Sequence, residues 1–284
     1  MRRVGFVLKR DKPEAEAIAR ELVPWLRERG VDVAVTPQHA WLADDGVEVI
    51  ADAEIGARVD LLVVFGGDGT LLHGASLVHG PVPVLGINLG TLGFLVPFAP
   101  AEARSALERA LAGELAIEER LRLAVRLSHE GQVTERLGLN DAVISQGSMA
   151  RLVELSATLD GQRIALYKAD GLILSTPTGS TAYNLAAGGP ILTPGQSSLA
   201  ITPICPHTLT HRPLVVPSTS RIVVEVPGAS SGIMLTVDGQ WAAQLARGDR
   251  IEVTASAAPL RLYRSEKPYF EILREKLSWG SRAG

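Results

Sequence analysis

The stretch DLLVVFGGDGTLLHGAS, from Asp60 to Ser76, predicts how the first part of the chain folds. Its apolar run at 61–65 is typical of a buried strand, and the run ends in the string GGDGT at 66–70. Glycine has no side chain, so a phosphate or a sugar can come close to the backbone amides of such a string. The apolar residues that follow predict a helix whose N-terminal amides face the same place.

Asp68, within this string, has two interpretations that its own spacing does not separate. It could cap the helix that begins at Gly69. Alternatively, its carboxylate could accept a proton from a hydroxyl group, or position that group for attack on phosphorus. The string is not a Walker A motif, since no Gly-Lys-Ser/Thr follows, and it is not G-x-G-x-x-G. The standard P-loop and dinucleotide-binding motifs are therefore disfavoured.

Around this string, strand and helix signals alternate. Apolar strands are predicted at RVGFVLK, VDVAVTP, DLLVVF and VPVLGINLG, and helices at DKPEAEAIARELVPWLRERG, GTLLHGASLVHG and PAEARSALERALAGE. Pro24 inside the first helix is expected to kink it. The alternation predicts a parallel sheet covered by helices on both faces.

From about Leu121 the pattern changes to short strands separated by glycine turns, and LRLYR at 260–264 continues it. We therefore predict an α/β plus all-β chain: an N-terminal parallel-sheet α/β domain at 1–119 and a C-terminal β-sandwich-like domain at 120–265. The segment 266–284 contains a helical pattern, and we expect it to pack back on the first domain.

Composition excludes several classes of protein. The 284 residues include 46% hydrophobic and 21% charged ones, which predicts a packed core. The formal net charge is −3, so no basic surface indicates a nucleic-acid partner. Cys205 is the only cysteine, as is usual in a reducing cytoplasm. No stretch of roughly 18 uncharged apolar residues predicts a membrane span, and no signal peptide is expected.

Two later stretches carry polar groups in unusual density. Asn140 and Asp141 in LGLNDAVISQG could hold two neighbouring hydroxyl groups, although Asn and Asp are also common turn residues. The string YKADGLILSTPTGSTAYNLAAGGPIL at 167–192 combines small hydroxyl residues, glycines and a tyrosine. That combination favours a site for a polar ligand with a flat ring.

Other features are interpreted as structural. His207 and His211 are four residues apart, but prolines flank them and the surrounding strands do not provide helical geometry, so no metal-binding residues are predicted. The sequence Asp-Gly-Gln occurs at Asp160 and again at Asp238, and by itself each copy predicts a hairpin turn.

The order of the motifs resembles the ATP-NAD kinase family. GGDGTLL, GINLGTLGFL, LND, DGLILSTPTGSTAYNLAAGGPIL, PHTLTHRPLVVP and DGQ follow one another over nearly the whole chain. GGDGT alone is shared with lipid kinases, whereas STPTGSTAY is not. The resemblance implies an enzyme that transfers the γ-phosphate of ATP to the adenosine ribose 2′-hydroxyl of NAD to form NADP. It also implies Mg²⁺ bound with ATP and a homodimer or homotetramer.

The resemblance also assigns site residues by position in the motifs. Asp68 matches the catalytic aspartate, taken as the base toward the 2′-hydroxyl. Asp141 departs from the family pattern, in which glutamate is usual, and Lys168 and Asp170 match residues that reach a nucleotide site across a subunit interface in some members. The implied nucleotide-binding residues are Gly69, His73, Asn140, Asp141, Arg151, Lys168, Asp170, Thr181, Ala182, Tyr183, Asn184, Leu185, Ala186 and Gln240.

Two other functions remain to be separated from this one by experiment. A lipid or sugar kinase of the GGDGT type would phosphorylate a different acceptor, although no amphipathic or basic membrane-binding segment supports the lipid version. A sensing module would bind NAD or NADP without consuming ATP.

Overall fold

The chain divides into two units, residues 1–119 with 260–284 and residues 120–259. The structure is a computed structural model that describes residues 1–91, 93–147, 152–228, 232–264 and 266–279. The parallel-sheet α/β domain and the antiparallel β-sandwich predicted from the sequence are both confirmed. In the part of the chain described, no helix combines the length and the hydrophobicity needed to cross a membrane.

The strands, in chain order, are β1 (Arg3–Leu8), β2 (Asp32–Val35), β3 (Glu48–Val49), β4 (Leu61–Gly66), β5 (Pro83–Asn88), β6 (Ile117–Arg120), β7 (Leu123–His129), β8 (Gln132–Gly138), β9 (Asp141–Gln146), β10 (Val153–Leu159), β11 (Gln162–Ala169), β12 (Gly171–Ser175), β13 (Ser198–Ile204), β14 (Leu214–Pro217), β15 (Ile222–Glu225), β16 (Ile233–Val237), β17 (Trp241–Leu245), β18 (Arg250–Ala255) and β19 (Leu260–Tyr263).

The α-helices are α1 (Pro13–Arg27), α2 (Asp52–Arg58), α3 (Asp68–Leu77), α4 (Ala103–Ala112), α5 (Tyr183–Ala186) and α6 (Tyr269–Leu277). Short 3₁₀ segments lie at Pro37–Asp45, Pro100–Glu102 and Gly179–Thr181. Pro24 lies inside α1, which continues to Arg27 as one helix.

The first unit is built on a sheet with the strand order β3-β2-β1-β4-β5-β19-β6. The pairs from β3 through β19 are parallel. Every residue of β4 is buried, as expected for a central strand of a parallel sheet with both faces covered. The apolar face of α1 packs on one side, where Ala19 and Leu22 join Phe6 and Phe65 in one core.

The connection from β1 leads to β2 on one side, and the chain later returns to place β4 on the other side of β1. Open parallel sheets bind ligands beyond the carboxyl ends of their strands at such a reversal. Leu8 of β1 is aligned with Phe65 of β4, and the N–H of Lys9 donates to the carbonyl oxygen of Phe65 at 2.8 Å. The fold therefore places the GGDGT string at the position where a ligand is expected.

The second unit consists of two antiparallel sheets with the orders β11-β10-β15-β18-β7-β8 and β14-β13-β12-β9-β16-β17. Alternate residues of both sheets meet in one apolar core, to which Val125, Ile144, Leu155 and Leu174 contribute. Strands β9 and β12 are neighbours in the second sheet, with Asp141 aligned to Ser175. Strand β9 therefore begins where β12 ends, so that Asn140 and the polar loop after Ser175 lie at the same end of this sheet.

The prediction for LRLYR was wrong. Its alternation favoured a strand of the β domain, but Arg261 and Leu262 of β19 pair in parallel with Pro83 and Val84 of β5. Alternation reports that one face of a strand is buried, and it does not report which sheet the strand joins.

Gly56 shows how tightly α2 packs on the end of α3. A Cβ atom on Gly56 would lie 2.1 Å from the carbonyl oxygen of Leu77. We therefore expect Gly56→Ala to lower the free energy of unfolding by about 2–3 kcal/mol, because backbone atoms cannot move aside cheaply. Chemical denaturation measures this, and Gly80→Ala is the matched control, since a Cβ atom there meets nothing within 4 Å. Equal stability of the two variants would contradict the packing described.

Candidate active site

Asp68 is the first residue of α3, and its side chain does not cap that helix. One carboxylate oxygen, Oδ2, accepts the N–H of Phe94 at 2.9 Å, and the other, Oδ1, accepts the N–H of Leu95 at 3.1 Å. A carboxylate has about four lone-pair positions, so these two bonds hold the group in place without using its full capacity to accept protons. The half-buried carboxylate is thus oriented by a loop that comes from β5.

That loop is built to meet Asp68. A Cβ atom on Gly93 would lie 2.1 Å from Oδ1 of Asp68, so only glycine fits this approach. The side chain of Asn88, at the end of β5, donates to the carbonyl oxygen of Thr91 at 3.0 Å and accepts the N–H of Gly90 at 3.0 Å. Asn88 therefore shapes the turn that carries the loop back to Asp68.

The glycines of GGDGT divide into two kinds. A Cβ atom on Gly66 would lie 2.3 Å from Oγ1 of Thr70, so the packing leaves no room for a side chain at that position. At Gly67 and Gly69, by contrast, a Cβ atom would meet nothing within 4 Å. The open side of the string lies at the N-terminus of α3, where the first amides have no partner within the helix and favour an anion. A phosphate group can approach Asp68 from that side.

His73 follows Asp68 on the same helix and is half-buried. Its backbone carbonyl oxygen accepts the hydroxyl of Ser76 at 2.7 Å, and its imidazole bonds to none of the residues that the structure describes. Gly69 is exposed, and it lies between Asp68 and the turn of α3 that carries His73. The predicted site residues of the first unit, Asp68, Gly69 and His73, therefore all lie on α3.

In the second unit, Asn140 and Asp141 lie at a turn held by Asp238. The carboxylate of Asp238 accepts the N–H groups of Leu139, Asn140 and Asp141 at 2.6, 2.7 and 3.0 Å. The N–H of Asp238 returns a bond to the carbonyl oxygen of Asp141 at 3.0 Å. With its backbone fixed in this way, half-buried Asn140 has a side-chain amide that bonds to none of the residues described.

Asp141 is 6% exposed, and burial together with the nearby charge of Asp238 raises its pKa to about 7. Burial also raises the pKa of Asp238, but three N–H donors and the buried guanidinium of Arg122 favour its charged form. Of the two carboxyl groups, Asp141 is therefore the one that keeps its proton as pH rises, and it loses that proton near pH 7. A protonated Asp141 can donate a hydrogen bond to a hydroxyl group, and an ionised one can only accept.

The loop after β12 packs against the same turn. Oγ1 of Thr176 donates to the carbonyl oxygen of Leu139 at 2.5 Å and accepts the N–H of Gly179 at 3.0 Å. A Cβ atom on Gly179 would lie 2.1 Å from the carbonyl oxygen of Asn140. The hydroxyl groups of this string thus serve largely to bring the loop onto Asn140.

The predicted contacts at 181–186 differ in accessibility. Tyr183 is 46% exposed, whereas the side-chain amide of Asn184 is buried and donates to the carbonyl oxygens of Ser180 and Pro190. Its oxygen accepts the hydroxyl of Thr202 at 2.6 Å. The amide of Asn184 is therefore engaged in holding α5. The residues of this segment that reach the surface are Thr181, Ala182, Tyr183, Leu185 and Ala186.

The remaining predicted residues are not all close to Asn140. Gln240 is exposed in the turn that Asp238 begins, beside the clamped residues. Exposed Asp170 and Lys168 lie at the opposite end of β12, roughly 17 Å away at about 3.4 Å per residue. Lys168 forms an ion pair with Glu154 at 2.7 Å. Arg151 lies outside the described residues.

Asp238 and Asn88 were not predicted from the sequence. Both act on backbone groups of other segments, and the only signals were a second Asp-Gly-Gln and an Asn at a strand end. In the turn at Asp238, both this residue and Gly239 have positive φ, 52° and 63°, which matches a tight hairpin. The hairpin interpretation was correct but incomplete, because the carboxylate also binds a neighbouring connection.

Comparison with known proteins gives one family for both units. Residues 4–115 match the ATP-NAD kinase N-terminal domain, and residues 139–265 match the ATP-NAD kinase C-terminal domain. The chain is 42% identical over 285 residues to the NAD kinase of Syntrophotalea carbinolica, covering 99% of this chain and all of the relative. It is 44% identical over 285 residues, with the same coverage, to the NAD kinase of Geotalea daltonii.

Solved structures show the same fold. The yeast NADH kinase complexed with NADH superposes with a TM-score of 0.92 at 32% identity, covering 99% of this chain and 89% of that one. An NAD kinase from Archaeoglobus fulgidus in complex with ATP gives a TM-score of 0.78 at 24% identity, covering 97% of this chain and 98% of that one. The second likeness concerns the fold alone.

The proton on Asp141 predicts a pH-dependent stability. Because the folded pKa is raised to about 7 from 3.8, this group stabilises the folded state fully below the unfolded value and loses that contribution as pH rises through about 7. We expect Asp141→Asn to remove this dependence, so that the variant gains on the order of 2 kcal/mol over the wild type between pH 5 and pH 8. Denaturant unfolding at the two pH values measures it. Parallel stability curves would contradict the assignment.

Proposed function

The chain belongs to the ATP-NAD kinase family and is an ATP-dependent kinase that converts NAD to NADP, and we propose that Asp68 is the base of this reaction. The supporting observation is the pair of amide bonds from Phe94 and Leu95, which fix the carboxylate at the open side of GGDGT. From there it can accept the proton of the attacking 2′-hydroxyl as the oxygen bonds to the γ-phosphorus. ADP leaves with the electron pair of the bond that breaks.

The acceptor ribose is assigned to Asn140 and Asp141. Each offers a side-chain group that bonds to no other described residue, on a turn whose backbone Asp238 holds. An amide and a carboxyl group on neighbouring residues suit the two neighbouring hydroxyls of a ribose. Tyr183, half-exposed on α5, offers a ring face to the adenine.

The donor is assigned to the open side of GGDGT, where Gly67 and Gly69 leave room for phosphate against the amides of α3. We expect Mg²⁺ to accompany ATP, held chiefly by phosphate oxygens, as is usual for this ion. When bound, the metal neutralises the charge that develops on the transferred group. The carboxylate of Asp68 lies beside this approach, and hard oxygen donors of that kind fit Mg²⁺.

Lys168 and Asp170 are assigned to the nucleotide site of a second copy of the chain. The strand β12 separates them from the turn at Asn140 in their own chain. The N–H of His207 donates to the carbonyl oxygen of Lys168 at 2.8 Å, which brings the exposed Leu209 (83%) close to Lys168. Val215, 51% exposed, is aligned with Ala200, towards the other end of the same sheet. β14, which carries Val215, is an edge strand. An exposed apolar edge of this kind favours self-association.

Asp68→Asn tests the base. The amide keeps the size of the side chain but accepts no proton, so kcat should fall by roughly 10²-fold or more while the Kd of NAD stays within about threefold. Steady-state rates of NADP formation and calorimetric titration with NAD measure the two quantities.

The control for this variant is Asp60→Asn. Asp60, at the other end of β4, also accepts two backbone N–H groups, those of Arg2 and Arg3 at 2.6 and 3.0 Å. Its replacement should leave kcat unchanged. A wild-type kcat in Asp68→Asn, or an equal loss in both variants, would refute the base assignment.

Mixing two inactive variants tests the shared site. If Asp170 serves a second copy, refolding Asp68→Asn together with Asp170→Ala creates some sites with both residues intact, and activity should return. The rate of NADP formation by the mixture, compared with each variant alone, measures this. Activity no greater than the sum of the two variants would show that Asp170 acts within its own chain.

A further inference from the structure

His39 is a buried histidine at the carboxyl edge of the parallel sheet, in the 3₁₀ segment that follows β2. It is 4% exposed, and its Nε2 accepts the N–H of Leu8, the last residue of β1, at 3.1 Å. A ring nitrogen that accepts an N–H must be unprotonated, so the hydrogen of the neutral ring is on Nδ1. This one bond fixes the tautomer and the direction in which the ring donates.

The Nδ1–H of His39 bonds to none of the described residues, yet Nδ1 is not among the fully buried atoms that lack a partner. It therefore reaches solvent although the side chain around it is buried. Burial, together with the charges of Arg10 and His73, lowers the pKa of His39 to about 4, against a smaller opposing effect of Asp52. The ring is neutral over the working range of most enzymes, and its donor is kept open.

Two basic residues face this donor from different elements. Arg10 follows Leu8 and Lys9, and the N–H of Lys9 donates to the carbonyl oxygen of Phe65, so the segment that carries Arg10 leaves β1 next to the carboxyl end of β4, where GGDGT begins. Its Nη2 donates to Oε1 of Gln38 at 2.9 Å, next to His39, and its other N–H groups remain for a ligand. The charge of His73 acts on His39 from α3, and the acidic group of Asp52 acts on it in the opposite direction from α2.

We infer that His39, Arg10 and His73 form an anion subsite that takes the phosphate chain of the donor nucleotide. The subsite rests on the proposed function, because it adjoins the open side of GGDGT where the donor is assigned. A neutral N–H donor, a planar guanidinium and an imidazole together match the oxygens of linked phosphates. Arg10 and His73 bind the ligand directly, and His39 also positions the loop that carries Arg10 through its bond to Leu8.

The test uses the full-length protein and tripolyphosphate, titrated calorimetrically at fixed ionic strength, with ATP and NAD titrated in parallel. Arg10→Met keeps the length of the side chain and removes its charge. Arg2→Met is the matched control, since Arg2 is an exposed arginine just before the same strand, at the opposite edge of the sheet. Because charged hydrogen bonds are lost, Arg10→Met should weaken tripolyphosphate and ATP roughly tenfold and leave NAD within about twofold. Arg2→Met should change none of the three.

His39→Leu should weaken tripolyphosphate by a similar factor, with thermal unfolding recorded for the variant. If His39→Leu does not fold, the test relies on Arg10→Met, whose position is exposed. Tripolyphosphate binding in Arg10→Met equal to that of the wild type, or an equal loss in Arg2→Met, would overturn the subsite.

Failure of the subsite and failure of the proposed function give different results. NADP formation by Arg10→Met with the wild-type KM for ATP overturns the subsite and leaves the kinase assignment intact. Tripolyphosphate binding that depends on Arg10, in a wild-type protein that makes no NADP from ATP and NAD, supports the anion subsite and overturns the kinase assignment.

Discussion

The carboxylate of Asp68 bonded to the amides of Phe94 and Leu95 is the interaction on which the site in the first unit depends. It joins the end of β4 to the loop after β5, and it works only because Gly93 leaves room for the carboxylate. Charge-assisted bonds of this kind are stronger than neutral ones and hold an oriented acceptor at little cost in flexibility. The same geometry leaves lone pairs on Asp68 for a proton, so anchoring and base chemistry are compatible in one residue.

Asp238 uses the same interaction in the second unit, where one carboxylate accepts three consecutive N–H groups beside Asn140. The bonds stabilise a charge on Asp238, and that charge together with burial keeps a proton on Asp141. A bound hydroxyl therefore meets a group whose capacity to donate changes near neutral pH. Arg122, buried close to Asp238, limits the cost of placing this charge inside the sandwich.

Much of the fold follows from local pattern, because strand and helix periods and the glycine string are properties of short segments. The pattern could not assign LRLYR to a sheet, since pairing partners are distant in the sequence. The capping interpretation of Asp68 was excluded only by its bonds to the amides of Phe94 and Leu95, which lie more than twenty residues away, and the base stays a proposal. For the same reason the sequence did not predict that Asp238 binds the backbone beside Asn140, or that the amide of Asn184 is bonded to Thr202. Both depend on contacts between segments that only the folded chain brings together.

This chain phosphorylates the adenosine ribose of NAD at its 2′-hydroxyl. The most direct measurement is to incubate the wild-type protein with NAD, Mg²⁺ and γ-labelled ATP and to locate the transferred phosphate by ³¹P NMR and by reaction with an NADP-specific dehydrogenase. We expect the labelled phosphate on the 2′ oxygen, with one ADP formed for each NADP. Binding of NAD without ADP formation would indicate a sensing module, and transfer of the label only to a lipid or sugar acceptor would identify a different kinase. Either result would show that the chain is not an NAD kinase.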